Sequence, residues 1–154
     1  MTKILFICHG NICRSPMAEF VMKDLVRRRG VAGRYVIASA AVSREALGSP
    51  VYGPARRELA RHGIGCAGKT AVQVAKADYA KYDYLVYMEN SNLPRLMGIL
   101  GGDPAGKCRR LLDFTGQPGD IADPWYTGDF ALAYAEIAQG CQAMLDNLEA
   151  KHGV

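Results

Sequence analysis

The chain has 154 residues, 49% of them apolar and 22% charged, with a formal net charge of +4. That is ordinary globular composition and enough length for one domain over residues 1–154 with its own core. The charge is modest and dispersed: it favours anionic substrates and argues against a nucleic-acid partner, while no run approaches the ~20 apolar residues of a membrane span.

In chain order, Lys3–Ile7 reads as a first strand. Its unbroken apolar character suits a parallel strand covered on both faces. The four apolar residues Ile4–Ile7 are too few for a signal-peptide core. Ser15–Arg29 follows as a helix: Ser15 suits a cap, Pro16 suits the first turn, and Met17, Phe20, Val21 and Leu25 recur at helical spacing. Arg27-Arg28-Arg29, just before Gly30, reads as cations on a negative helix terminus. Tyr35–Ser39 is a second strand and Pro54–His62 a second helix, closed by Gly63. Asp83–Met88 is a third strand, Asn90–Met97 a short helix, Arg109–Leu112 a weaker fourth strand and Asp129–Leu148 a long final helix. Strand and helix alternate throughout, which predicts an open α/β fold: a four-stranded parallel sheet with helices on both faces. In such sheets ligands bind beyond the carboxyl ends of the strands, and Cys8, Ser39 and Glu89 all fall at such ends.

Five cysteines, an odd number without secretory signals, suggest free thiols in a reducing, cytoplasmic setting. No Cys or His spacing completes a metal set, and no cofactor is called for. The chemistry concentrates in Cys8-His9-Gly10-Asn11-Ile12-Cys13-Arg14-Ser15, a phosphate loop directly after the first strand. A Cys-x5-Arg loop that opens a helix can converge backbone amides on an anion, with the helix N-terminus adding its positive end. Gly10 relieves a tight turn, and Asn11 tolerates left-handed dihedrals while its side chain ties the loop together. Arg14 offers a planar fork for two phosphoryl oxygens. The same field favours Cys8 as a thiolate at neutral pH, and Ser15 can donate a hydrogen bond to that sulfur. The plain alternative is a buried cysteine with an incidental arginine.

A thiolate that attacks a phosphate ester expels an alkoxide or phenoxide, and a placed acid speeds that step by roughly 10²–10⁴-fold. Asp123 is the candidate, because Pro124 restricts it to extended geometry. Asp103-Pro104 shows the same dipeptide as an ordinary turn. Asp120 lies close enough to share the loop, and Asp129 suits a cap on the last helix. Composition does not choose among them.

At this point the sequence resembles the low-molecular-weight protein tyrosine phosphatases. Residues 8–19, Cys-His-Gly-Asn-Ile-Cys-Arg-Ser-Pro-Met-Ala-Glu, carry the likeness. So do Ser39-Ala40-Ala41-Val42-Ser43 at the second-strand exit, Met88-Glu89-Asn90-Ser91-Asn92 at the third, and Asp123-Pro124-Trp125-Tyr126 followed by Gly128-Asp129-Phe130. The resemblance implies hydrolysis of phosphotyrosine, in a protein or peptide, through a phosphocysteine on Cys8. Arg14 would bind the phosphoryl group, and Asp123 would act first as acid and then as base. It also implies that Ser39 bonds Asn11, and that Cys13 can form a protective disulfide with Cys8 under oxidation; the alternative for Cys13 is a small buried residue. Asn92 and Glu89 either link the third strand to the rim or simply cap. Trp125, Tyr126 and His9 read as cleft walls, suited to a flat phenyl ester and too deep for phosphoserine. For Tyr126 the alternative is an exposed turn residue.

Ile12 is bulky and aliphatic, similar to the tyrosine-specific members; relatives that act on phosphoarginine carry a small polar residue there. Two positions depart from the family pattern. Arg44-Glu45-Ala46-Leu47 stands where an aromatic is common, so Glu45 brings charge to the cleft wall. Around Gly68-Lys69 a supporting histidine is replaced, so the loop network must be completed otherwise. Inhibition by phosphate or vanadate is expected. The rival readings are a phosphoarginine phosphatase, a thiol-dependent arsenate reductase and a phosphocarrier module. The reductase needs relay cysteines near the third-strand exit, and Tyr84–Gly102 contains none. The phosphocarrier needs neither an arginine fork nor an acid loop.

Overall fold

The computed structural model describes residues 1–152. Its centre is a sheet of four parallel strands in the order β2-β1-β3-β4. The strands are β1 (Thr2–Cys8), β2 (Tyr35–Ala41), β3 (Tyr84–Tyr87) and β4 (Cys108–Arg110). The helices are α1 (Arg14–Arg28), α2 (Gly53–Arg61), α3 (Asp78–Lys81), α4 (Asn92–Leu100), α5 (Pro124–Thr127) and α6 (Phe130–His152).

The pleat of β1 explains why helices cover both faces. Ile4, Phe6 and Cys8 point into one core with Met17 and Val21 of α1, Leu59 of α2 and Ile137 and Met144 of α6. Leu5 and Ile7 point the opposite way, into a second core with Tyr82 and with Leu96 and Leu100 of α4. Each fully buried aliphatic side chain of this kind contributes about 1.5–3 kcal/mol. The expected four-stranded parallel α/β architecture is therefore the observed one.

Three local expectations are corrected. The fourth strand spans only Cys108–Arg110, and Leu111–Phe114 turns into a 3-10 helix whose Leu111 and Leu112 are buried; those apolar side chains pack against the α1/α6 core rather than extend the sheet. Ser15 does not cap α1. The helix starts one residue earlier, its flanking residue is Cys13, and no side chain caps it, because the Ser15 hydroxyl is engaged by Cys8 and Asn11. The segment after Asp123, read as loop, is the single-turn helix α5, with Asp123 capping it through the Trp125 amide and Pro124 in first position. Asp129 does cap α6, accepting from the Leu132 amide at 2.9 Å. Arg27 and Arg28 lie in the last turn of α1 and both pair with Asp24.

Because every strand runs the same way, the exits at Cys8, Ala41 and Tyr87 share one edge of the sheet. From β1 the chain goes to β2 on one side and to β3 on the other, so Cys8 stands at the point where the strand order reverses. Open α/β sheets leave a crevice there.

Candidate active site

Residues 8–15 wrap the end of β1 into the start of α1. The carbonyls of Cys8, His9, Ile12 and Cys13 are drawn outward by the amides of Val42, Ser43, Tyr52 and Met17 at 2.9–3.1 Å. With those acceptors turned away, N–H groups are the backbone polar groups left for an anion, and the free N-terminus of α1 adds its dipole. Asn11 holds the turn with φ 58°, the single non-glycine residue at positive φ among the described residues. Gly10 is not the strained position: a Cβ there would meet Ile12 and Ala46 at 3.8 and 3.9 Å, ordinary contacts. Its lack of a side chain instead keeps the mouth of the cleft open beside Ala46.

The Cys8 sulfur lies 3.0 Å from the Ser15 hydroxyl and 3.3 Å from the Asn11 amide. Arg14 is 1% exposed. Its Nη1 donates to the Ile121 carbonyl at 2.8 Å, and its Nη2 stands 3.0 Å from Glu89 and 3.3 Å from Asp123. A buried guanidinium held on three sides has little freedom, and the fork is set before any ligand arrives. Asp123 Oδ1 accepts from the Trp125 amide at 3.0 Å, which leaves Oδ2 toward Arg14. Asp120 is elsewhere: its carboxylate accepts from the Asn90 amide and from Arg110.

Beneath the loop lies a polar network. Asn11 Nδ2 donates to Ser15 Oγ at 2.7 Å and to Ser39 Oγ at 3.0 Å, and Asn11 Oδ1 accepts from the Val72 amide. Ser39 in turn donates to Glu19 at 2.5 Å. Lys69 joins this network, its Nζ donating to the Ser39 carbonyl at 2.9 Å. Among the described residues no buried side-chain nitrogen or oxygen lacks a partner, so the loop stands on a fully satisfied base. Asn92 does not touch the loop; its Oδ1 accepts from the Met88 and Glu89 amides, and so fixes the strand exit that carries Glu89 to Arg14.

Above the loop is a cleft of ≈ 200 Å³ lined by Cys8, Arg14 and Asp123 at its base. Ile12 and Cys13 also line it, and His9, Glu45, Ala46, Trp125 and Tyr126 form its walls. His9 Nε2 meets Glu45 at 2.9 Å across the mouth. Trp125 is 53% and Tyr126 83% exposed. Tyr52 was not singled out in the sequence, yet its ring packs 4.7 Å from that of Trp125 and 6.0 Å from that of Phe130, bracing the aromatic wall from behind. A tyrosine in an otherwise ordinary turn gives no local signal of that role. Glu19 closes the motif at residues 8–19, but nothing local names Ser39 as its partner.

Burial favours the protonated form of the remaining thiols. Burial pushes the Cys13 thiol up to about 12, with Cys8 and Asp123 adding to the effect and Arg14 opposing it. Burial likewise pushes Cys108 up to about 12, helped by Asp103, and raises Cys66 and Cys141. Cys66, Cys108 and Cys141 do not line the cleft. Among the described residues no cluster of three His, Cys, Asp or Glu side chains could hold a metal ion.

Comparison with known proteins points the same way as this geometry. Residues 3–153 match the family described as low molecular weight phosphotyrosine protein phosphatase. The chain is 34% identical over 151 residues to the low molecular weight protein-tyrosine-phosphatase YfkJ of Bacillus subtilis, covering 97% of each. It is 37% identical over 152 residues to the low molecular weight phosphotyrosine protein phosphatase of Sus scrofa, covering 94% of each. The crystal structure of YfkJ superposes with a TM-score of 0.93 over 98% of this chain and 96% of that one. That of a Drosophila arginine phosphatase gives 0.88 at 30% identity, over 96% and 98%. A Cys-x5-Arg loop at the exit of the first strand, an aspartate facing its arginine and a match along nearly the whole sequence together place this chain in the low molecular weight phosphotyrosine protein phosphatase family.

Proposed function

We propose that the protein hydrolyses phosphotyrosine in proteins or peptides through a phosphocysteine on Cys8. The observation that carries the reading is the convergence of Cys8, Arg14 and Asp123 at the base of one cleft, with Arg14 already aimed by Ile121, Glu89 and Asp123.

In the first step the Cys8 thiolate attacks phosphorus as the bond to the phenolic oxygen breaks. The phosphoryl oxygens take the amides of residues 9–15 and the Arg14 fork, donors that need no reorganisation when charge develops. As the dianion binds it replaces Asp123 as the partner of Arg14. The carboxyl, released from Arg14, takes a proton from solvent and passes it to the departing oxygen. In the second step Asp123 takes a proton from water as that water attacks phosphorus. The S–P bond breaks, inorganic phosphate leaves, and the Ser15 hydroxyl supports the returning thiolate. Every proton and electron pair is handled by this chain's own residues, so chelators should not change the rate, and phosphate or vanadate should inhibit.

The exposed Trp125 and Tyr126 above the buried Cys8 favour a flat ring that reaches past them over a short phosphoserine. The likeness to the Drosophila arginine phosphatase favours one second reading, phosphoarginine. Ile12 speaks against it, since an aliphatic side chain beside the loop offers a guanidinium no polar partner. The cleft contains no sulfur besides those of Cys8 and Cys13, which leaves the arsenate reductase reading without a relay. The deciding experiment is hydrolysis of matched phosphotyrosine, phosphoserine and phosphoarginine peptides with and without chelator. Phosphotyrosine should lead by at least about tenfold in kcat/KM; preference for either other peptide, or loss of rate with chelator, overturns the proposal.

A further inference from the structure

Lys69 is an ammonium that the catalytic steps do not use. It lies beyond α2 and does not line the cleft. Its side chain is only 12% exposed; Nζ donates to the Ser39 carbonyl at 2.9 Å and stands 3.9 Å from Glu19 Oε1. Lysine carries a compact, strongly hydrated charge, and burying one is costly unless a partner compensates it. Here the partner carboxylate is itself buried, and it is shared with the Ser39 hydroxyl and with Lys23 at 2.6 Å. Glu19, Lys23 and Lys69 together therefore carry one net positive charge directly below the phosphate loop.

That charge is wired to the nucleophile. From the Ser39 hydroxyl, contacts run to Asn11 Nδ2 at 3.0 Å, from Asn11 to Ser15 Oγ at 2.7 Å, and from Ser15 to the Cys8 sulfur at 3.0 Å. Burial holds the Lys69 ammonium below the ordinary lysine range; Glu19 opposes this, Lys23 adds to it, and the Cys8 sulfur opposes it least. An effect of the sulfur's charge on the ammonium is matched by an equal effect of the ammonium on the sulfur. Arg14, Cys13 and Asp123 line the same cleft as Cys8, with His9 and Glu45 paired to each other at its mouth. Arg14 favours the thiolate and an ionised Asp123 opposes it, and those two already face each other.

We propose that Lys69 is a positioning residue for the nucleophile: clamped between Glu19 and the Ser39 carbonyl, its ammonium fixes the Ser39–Asn11–Ser15 relay and biases Cys8 toward the thiolate. This deepens the phosphatase reading and rests on Cys8 being its nucleophile.

The test is the pH dependence of Cys8 alkylation by iodoacetamide, with Cys8→Ser identifying the signal, alongside kcat/KM for an aryl phosphate from pH 5 to 9. Lys69→Met and Lys69→Gln both remove the charge; the glutamine keeps an N–H for the Ser39 carbonyl. Both should move the alkylation midpoint up by roughly half to one pH unit. Below the parent protein's alkylation midpoint kcat/KM should fall about three- to tenfold, as that shift dictates, and it should converge with the parent protein at high pH. Lys69→Arg should stay within about twofold at every pH. An unmoved midpoint in folded Lys69→Gln, or a uniform loss of rate at all pH values, overturns the proposal. If Lys69→Met does not fold, the glutamine variant decides alone. A parent protein that alkylates normally yet hydrolyses no phosphate ester overturns the phosphatase reading and leaves the alkylation arm to judge Lys69.

Discussion

The floor of the cleft and its rim are held by very different numbers of bonds. On the floor, Asn11 and Arg14 are 1% exposed, Ser15 is fully buried, and each makes at least two hydrogen bonds or ion pairs. On the rim, Glu45 has a side chain 71% exposed, and its carboxylate meets His9 in a pair of the kind worth about 0.2–1 kcal/mol. Tyr126 is 83% exposed. A phosphoryl group is small and identical in every substrate, so its donors gain from being rigid. The flanking chain differs between substrates, and a rim of loosely tied side chains can change without disturbing the floor.

That contrast can be broken at the floor first. Cys8→Ser should remove turnover by at least about 10⁴-fold, since the nucleophile has no substitute, yet vanadate should still bind, as titration calorimetry would show. Arg14→Lys should cost about 10²–10³ in kcat/KM and weaken phosphate inhibition, because a point charge cannot reproduce a buried fork. A near-normal rate would mean that the guanidinium is structural. Asp123→Asn should slow poor phenolic leaving groups by about 10²–10⁴ and activated aryl phosphates far less. Equal slowing of both, in parallel assays, would remove Asp123 as the acid.

Two smaller effects sharpen the same contrast. Asn11→Ala places an ordinary residue at φ 58° and deletes three hydrogen bonds. Denaturant unfolding should register a loss of about 1–3 kcal/mol, together with a slower enzyme. Trp125→Ala, on the rim, should leave the unfolding midpoint and kcat nearly unchanged and raise KM for a phosphotyrosine peptide by about two- to tenfold. A large stability loss there would show that Trp125 and Tyr52 form part of the core rather than an appended wall.

What sequence alone determined is what short-range physics determines. An apolar run, a cysteine, five residues, an arginine and a proline in the first helical turn are contiguous, so local dihedrals and one helix N-terminus are enough to foresee a phosphate loop. The alternation of strand and helix is equally local, and the parallel sheet follows from it. The last strand is shorter than its sequence suggests, because Leu111 and Leu112 have strand-like character and are captured by the α1/α6 core instead. Tyr52 and the Ile121 carbonyl are invisible as site residues in the sequence, and the partners of Glu19 and Lys69 are not legible there, since each acts through residues far along the chain: Arg14 reaches Ile121 across 107 positions and Lys69 reaches Ser39 across 30. Tertiary structure decided which two carboxylates face the arginine and which amine reaches the Ser39 carbonyl, because a buried polar group takes whichever partner packing brings within about 3 Å, and sequence spacing carries no record of that choice.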